Sequence, residues 1–521
     1  MRRGLLATAL LFIAQVVALA AAAAPVRNIF VRHSTRPLSA QHGTAFAPFN
    51  TITQALQLAR RIRFGCPANQ SPPSNIPITI HVAAGTYFGA FEPPQSGLET
   101  LPLLLNVPHL KLRGALRFDA GAIVPGTRTI LRPVKKQQAK QHMVVVTRMN
   151  PTAGCGFPVD FLMAGNFVTI SGFLFEGMGR DGSTPNTVTE DESALVSIDG
   201  VGNFVVSGNY FTHAVFGITA RLSRGTIENN QFIDNRGLGL NVSGGSDSFP
   251  AKVKIFGNVL TDNGTFSPTA KGGGINLQGA AQTENDLPDL FDAQHFRRVP
   301  LPRFYSRTHP HAVPDKLNVS VLLNKVSGSA TFGIHVHGYI RNNYEFDPSD
   351  LSFLTANVRA LFRGNVCTKN GNYGIVIDAG QIRKENIRTH RVNIDATLIS
   401  TTFAANVSGE AVFSFWRFGN SVSPPPANEK FKFAHDSTMR ICGEAMRFRF
   451  ENRPIDPIDG TPTNNTLIVN GEELEKVPCV PPNQCPVTTL PVNSSNCSDV
   501  RPPLTSESQR APASLLLSSA R

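Results

Sequence analysis

Two imidazoles two residues apart, His335 and His337, share one face if their segment is a strand, because a strand sends alternate side chains to the same side. A carboxylate beside such a pair can fix an imidazole's tautomer and raise its basicity, which is the arrangement of a general base. Asp378 supplies that carboxylate if the segment after Gly374 lies alongside the segment after Gly333. The same two positions carry Asn276 and Gln278 in a third segment, Asn241 and Ser243 in a fourth, and Thr219 and Arg221 in a fifth. Amide side chains suit sugar hydroxyls, and a guanidinium suits a carboxylate. Each residue alone is also what any polar sheet face carries. Their convergence is what singles them out as a site.

That convergence depends on a repeat. Between Val205 and Gly380 one pattern is written five times, with turn residues Asn209, Asn230, Asn258, Asn324 and Asn365 and strand-opening Gly217, Gly239, Gly274, Gly333 and Gly374. The first position after each glycine reads Ile218, Leu240, Ile275, Ile334 and Ile375; the third reads Ala220, Val242, Leu277, Val336 and Ile377. Three before each Asn stand Val206, Ile227, Ile255, Val321 and Phe362, and two after it Phe211, Phe232, Leu260, Val326 and Cys367. Four apolar columns on units of about 22 residues describe stacked coils too short to hold a helix. Their β-branched composition makes them strands, so the fold is expected to be all-β, a parallel β-helix. The recurring Asn is expected in a left-handed turn, bonded to its neighbours along the stack as an amide ladder.

These repeats resemble the pectate-lyase-like family of right-handed parallel β-helix proteins. The opening of the chain adds to the resemblance: a strand at Asn28–Val31, a Gly/Pro-Phe loop from Gly43 to Asn50, a helix from Ile52 to Ile62 capped by Thr51, a strand at Ile78–Val82, then Gly85-Thr86-Tyr87. Many secreted β-helix proteins open in this order, and the helix plugs the open end of the stack. The resemblance implies a polymer bound along an exposed parallel sheet and chemistry on uronic acids by β-elimination, epimerisation or hydrolysis. The chain departs from the hydrolases in lacking a paired Asp-Asp or an Asn-Thr-Asp signature, and Asp378 has no partner carboxylate on the coils just before it. It also lacks the clustered Asp and Arg of the calcium-dependent lyases. No metal or cofactor is expected; Ca2+ is the alternative, without a clear ligand cluster.

Around the solenoid the chain divides into a signal peptide at 1–23, an N-terminal cap with first coils at 25–165, the β-helix at 166–416, a C-terminal cap at 417–500 and a disordered tail at 501–521. Insertions at 280–316 and 339–357 leave from equivalent points of two coils and should flank one surface. The first carries Arg297, Arg298 and several further Arg and His residues, a cationic wall for a carboxylated or sulfated sugar. The formal net charge is +12, about +10 without Arg2 and Arg3 (12 − 2), which favours polyanionic partners or serves solubility alone. Seven cysteines fit an oxidising destination, and the odd number leaves at least one unpaired within the chain; Cys367, in an inward column, is expected to be buried and inert.

The sequence thus leads to a secreted protein, periplasmic or extracellular, without stable membrane insertion after signal removal and without nucleic acid. Its expected partner is acidic polysaccharide. In a catalytic reading it is a lyase or C5-epimerase: Arg221 or the insertion arginines neutralise the uronate carboxylate, His337 oriented by Asp378 removes the C5 proton, and His335 or Tyr339 is the acid, with Asn241, Asn276, Gln278, Arg297 and Arg298 holding the polymer. The alternative is a non-catalytic glycan-binding or structural surface protein.

Overall fold

The computed structural model describes residues 27–33, 40–64, 76–91, 97–135, 141–147, 167–178, 193–221, 223–244, 251–264, 272–281, 317–341, 355–383, 391–415, 430–433, 437–443, 447–451, 462–474 and 486–489. The expected signal peptide and tail lie outside them, as do residues 282–316 and 342–354 of the two insertions. Among the described residues no helix is long and apolar enough to cross a membrane.

The described strands form three long, largely parallel sheets of 13, 12 and 10 strands, and successive coils add a strand to each in turn. The four apolar columns lie inside. Ile218 pairs with Leu240, Leu240 with Ile275, Ile275 with Ile334 and Ile334 with Ile375, and all five are completely buried. The Phe211 column carries the same register on the sheet of short strands, where Phe175, Phe211 and Phe232 stack ring on ring. Cys367 ends up buried and free, and burial raises its thiol's pKa. Cys442 is disulfide-bonded.

The amide ladder forms as the repeat implies. Asn209 N–H donates to Asn230 Oδ1 at 3.0 Å, Asn230 to Asn258 at 3.0 Å, Asn258 to Asn324 at 2.9 Å and Asn324 to Asn365 at 3.0 Å. The expected conformation was misplaced by one residue. Positive φ belongs to the residue before each ladder Asn, namely Gly208, Asn229, Gly257, Leu323 and Gly364. That residue turns the corner, so the next one is free to aim its amide along the stack. A second ladder, not foreseen, follows the same rule at the next corner. Asp234, Asp262 and Lys369 are left-handed, and Asn235 bonds to Asn263 (2.9 Å) and Asn370 to Asn406 (2.8 Å).

Each strand-opening glycine is required by the inward column of the next coil. A Cβ on Gly217 would sit 2.6 Å from Phe232 Cδ1, one on Gly274 2.3 Å from Val326 Cγ1, and one on Gly374 2.5 Å from Phe403 Cδ1. The glycine and the aliphatic residue after it therefore both face the core, which breaks strict alternation at the mouth of the strand.

The plug helix runs Ile52–Phe64, two residues longer than expected, with Ile52, Ala55, Leu56 and Ala59 buried against the first coils. Thr51 Oγ1 accepts from Gln54 N–H and Gln54 Oε1 accepts from Thr51 N–H, a reciprocal capping box. The first turn has no acid of its own. Glu99 supplies one from a neighbouring strand, its carboxylate accepting the Ile52 and Thr53 N–H groups at 2.7 and 2.8 Å. Burial raises the Glu99 pKa, and these bonds oppose the rise.

At the other end the stack runs past the expected boundary at 416. Thr438–Gly443 pairs in parallel with Arg391–Ile399, Arg447–Glu451 with Gly409–Ser414, and Thr466–Val469 with Thr438–Gly443. These last coils keep the inward apolar residues without the full Asn and Gly pattern of the others, although Asn465 Oδ1 still accepts the Ser437 N–H and Asn470 Oδ1 the Gly443 N–H. Lys430–Phe433 adds an antiparallel strand along Gly380–Arg383.

Replacing Asn258 by Ala removes the acceptor of the buried Asn230 N–H and side-chain amide, and with it the side-chain bond to Asn324 Oδ1, leaving only the backbone bond from residue 258 to Asn324. At about 1–3 kcal/mol for each buried group left without a partner, the denaturant midpoint should fall clearly below that of an Asn28→Ala variant made on the exposed edge of the stack.

Candidate functional site

The strands Phe332–Arg341 and Tyr373–Arg383 lie side by side in the 12-stranded sheet, with His335 opposite Val376 and His337 opposite Asp378. Asp378 bridges both imidazoles. Its Oδ2 contacts His335 Nε2 at 2.8 Å, and its Oδ1 contacts His337 Nδ1. An ionised carboxylate only accepts, so each of these nitrogens carries a proton, which leaves His335 Nδ1 and His337 Nε2 as the remaining positions. The His335 side chain is 12% exposed, whereas His337 is 3% and Asp378 0% exposed. Of the two imidazoles, His335 is the one a ligand can reach. Phe332 packs against it at 4.8 Å, tilted by 60°.

The amides fall where the repeat places them. Asn276 precedes His335 and Gln278 precedes His337 on the previous coil, with Asn241 and Ser243 one coil further back. Asn276 Nδ2 donates to Asn241 Oδ1 at 2.9 Å, and Asn241 Nδ2 reaches Thr219 Oγ1 at 3.5 Å, so this column is itself a hydrogen-bonded track. Arg221 does not join the His–Asp group. It stands three coils away, about 14 Å at the usual strand spacing, beside Asp199. Arg297 and Arg298 lie outside the described residues, as do the other insertion Arg and His residues. On the sheet of short strands Arg132 pairs with Glu176 at 2.7 Å.

The outer face is less open and less polar than alternation implied. Phe216, Leu238, Phe332 and Tyr373, each immediately before a strand-opening glycine, join Val376 and Val412 in an apolar cluster separate from the core. The inward turn of each glycine sends its predecessor outward. The signal was present in the sequence as an apolar residue before four of the five glycines. The group of His335, His337 and Asp378 is therefore set between an amide track and an apolar strip.

Among the described residues these three side chains are the group of metal-ligating type that converges, their ligand atoms lying within 4.8 Å of one another. Two imidazole nitrogens and one carboxylate suit Zn2+ or another late first-row divalent ion. Ca2+ takes six to eight oxygens and is poorly matched by this set.

A further histidine was not foreseen. His142, just before the strand Val144–Thr147 of the same sheet, is buried; its Nδ1 accepts the Ala194 N–H at 3.1 Å, and its Nε2 has no hydrogen-bond partner among the described residues. Burial first and the Arg221 charge second push its pKa down to about 3.

A parallel β-helix carrying an Asp-bridged histidine pair on one flat face is the class of protein these observations define. Consistently, residues 159–286 match the family described as right handed beta helix region. No curated protein sequence matches significantly. Among solved structures the chain is similar to the A-module of mannuronan C-5 epimerase AlgE4 from Azotobacter vinelandii, at 13% identity over 75% of this chain and 85% of that one, with a TM-score of 0.34. It is similar to a rhamnogalacturonan lyase at 10% identity over 88% and 95% of the two chains, TM-score 0.34. The Dettilon tailspike protein gp208 matches at 12% identity over 86% and 68%, TM-score 0.33.

Because the folded His142 pKa is depressed, the neutral ring's contribution to stability is whole above about pH 6.5 and is lost as pH falls toward the folded value, at about 1.4 kcal/mol per pH unit. Denaturant midpoints measured between pH 7 and pH 4.5 should therefore fall more steeply for the wild type than for His142→Gln, whose amide oxygen can still accept the Ala194 N–H.

Proposed function

We propose that this protein binds an acidic polysaccharide along the outer face of the 12-stranded sheet and acts on it as a uronate lyase or C5-epimerase. The observation that carries this reading is the buried Asp378 bridging two imidazoles of one coil, in line with the Thr219–Asn241–Asn276 amide track. A polymer lying across the coils would set its hydroxyls against the amides and one residue's C5–H against the accessible ring.

In this scheme His335 Nδ1 removes the C5 proton, and the electron pair of the broken C5–H bond moves toward the uronate carboxylate. In a lyase that pair then forms the C4=C5 double bond as the C4–O bond breaks, and the leaving oxygen takes up a proton. In an epimerase a proton returns to C5 from the opposite side. Exposure favours His335 over His337 as the base, with Asp378 fixing its tautomer. His337, held by the other oxygen of the same carboxylate, serves as a positioning residue and a proton reserve. The charge building on the uronate carboxylate must be neutralised. Arg221 is too far to do so from its own coil, which leaves Arg297 and Arg298 of the insertion as candidates by sequence. The enclosure of His337 and Asp378 equally suits the second reading, a glycan-binding protein without turnover.

The test is incubation with a panel of uronate polymers, following unsaturated products by absorbance and C5 inversion by exchange in deuterated water. His335→Ala should lower turnover about 10²-fold or more, the usual weight of a general base, while polymer binding persists. Unchanged turnover in that variant removes His335 from the chemistry; binding without any product in the wild type leaves the glycan-binding reading.

A further inference from the structure

Far from the His–Asp group, a cleft of about 770 Å³ crosses the corner of the first coils. Its floor is a register column of the 13-stranded sheet: Phe30 pairs with His81, His81 with Arg113, Arg113 with Ser171 and Ser171 with Ser207. One residue from each of five consecutive coils faces the same channel, which at strand spacing makes it about 19 Å long. The column meets its first acid, Glu228, only on the coil beyond the lining.

The lining is basic and unneutralised. Arg32, Arg113 and Arg117 all line the cleft, all are exposed, and among the described residues none of their side chains has a carboxylate partner. No acidic side chain lines the cleft among the described residues. Besides the apolar Val31, Pro48, Val82 and Leu116, much of the remaining lining is small or hydroxylic, with Gly114, Ala115, Gly126, Thr127 and Gly172, and a Cβ on Gly126 or Gly208 would meet nothing within 4 Å. At one end Phe30 and His81 stack at 5.0 Å and 16°, a flat pair of rings fixed by the 2.9 Å contact between His81 Nε2 and Asn28 Oδ1.

We propose that this cleft is a second binding site, separate from the His335 group, for a linear oligosaccharide bearing carboxylates or sulfates. Three guanidinium groups that meet no carboxylate among the described residues supply bidentate contacts to such anions. Length argues for a chain over a single small anion, since the charges and hydroxyls are spread over five coils. The stacked Phe30–His81 pair offers a flat apolar face to a sugar ring, and Ser171, Ser207 and Thr127 offer hydroxyl partners. A single-stranded nucleic acid would need successive aromatic platforms for its bases, and the column holds one. The site would hold polymer at the N-terminal coils while the 12-stranded sheet engages another stretch of it, and two weak contacts on one chain raise overall affinity without new chemistry.

The measurement is calorimetric titration of the mature protein with an oligogalacturonate of six residues and, separately, a sulfated oligosaccharide of equal length. The Arg113→Gln/Arg117→Gln double variant should bind at least one of these about tenfold or more weakly at the cleft, from loss of two charge-assisted contacts, with an unchanged melting temperature. Titrating His335→Ala/His337→Ala separates the two sites: it should keep the arginine-dependent binding event even if the sheet proves to bind nothing. Equal binding by the double variant and the wild type overturns the proposal. So does a single-stranded oligonucleotide of matched charge that competes as tightly as the oligosaccharide, which would reduce the cleft to general polyanion attraction.

Discussion

Everything in this structure depends on register between coils, and register is held by buried amides. An apolar column tolerates sliding, because one aliphatic residue packs on another at several offsets. The ladder Asn does not. Its side chain accepts from the backbone N–H of the Asn on the preceding coil and donates to a carbonyl of that coil, and it is fully enclosed, so a shift of one position would leave buried donors without acceptors. With two such ladders at two corners, the stack has one low-energy alignment. Asp378 stands beside His337, and Gln278 on the coil before, as a consequence of that alignment.

The same alignment explains why the face carrying His335 and Asp378 is not simply the polar outside of a solenoid. Bulky residues in the Phe211 column require glycine opposite them at the start of each strand, and the glycine turns its predecessor outward. An apolar strip results on the outer surface, next to Val376 and Val412. A carboxylate placed against that strip is poorly hydrated and is stabilised by whatever protons its neighbours present. Two imidazoles provide them, from one strand, at positions that alternate correctly only because the strand is unbroken beyond the glycine.

The two ends of the molecule solve the problem that stacking leaves behind. The first coil would expose its interior to water, and the Ile52–Phe64 helix covers it, anchored by a capping box and by the borrowed Glu99. At the other end the coils continue after their signature has gone, closed by antiparallel partners such as Glu472–Glu473 and Val487–Thr489. Antiparallel closure occupies the backbone groups that a further parallel coil would otherwise claim.

Much of the site could be read before any coordinates. Periodicity put His335 beside His337 and Asn276 and Asp378 on the flanking coils, since spacing from a repeated glycine is a local quantity. It missed His142, whose burial comes from residues distant in the chain, and the second ladder, whose Asn235, Asn263 and Asn370 lie at a corner the alignment of strands had not used. It also overstated Arg221, which the count of repeats already sets three coils from His337, about 14 Å at strand spacing and too far to join the His–Asp group. The sequence by itself determined the coil, its inward columns and the order of polar residues along the face, all of which follow from alternation and repeat length. Only the tertiary structure decided that Asp378 binds both imidazoles, that His335 is the reachable one and that three arginines share an unneutralised cleft, because distance, burial and charge pairing depend on neighbours that the chain brings together from far apart.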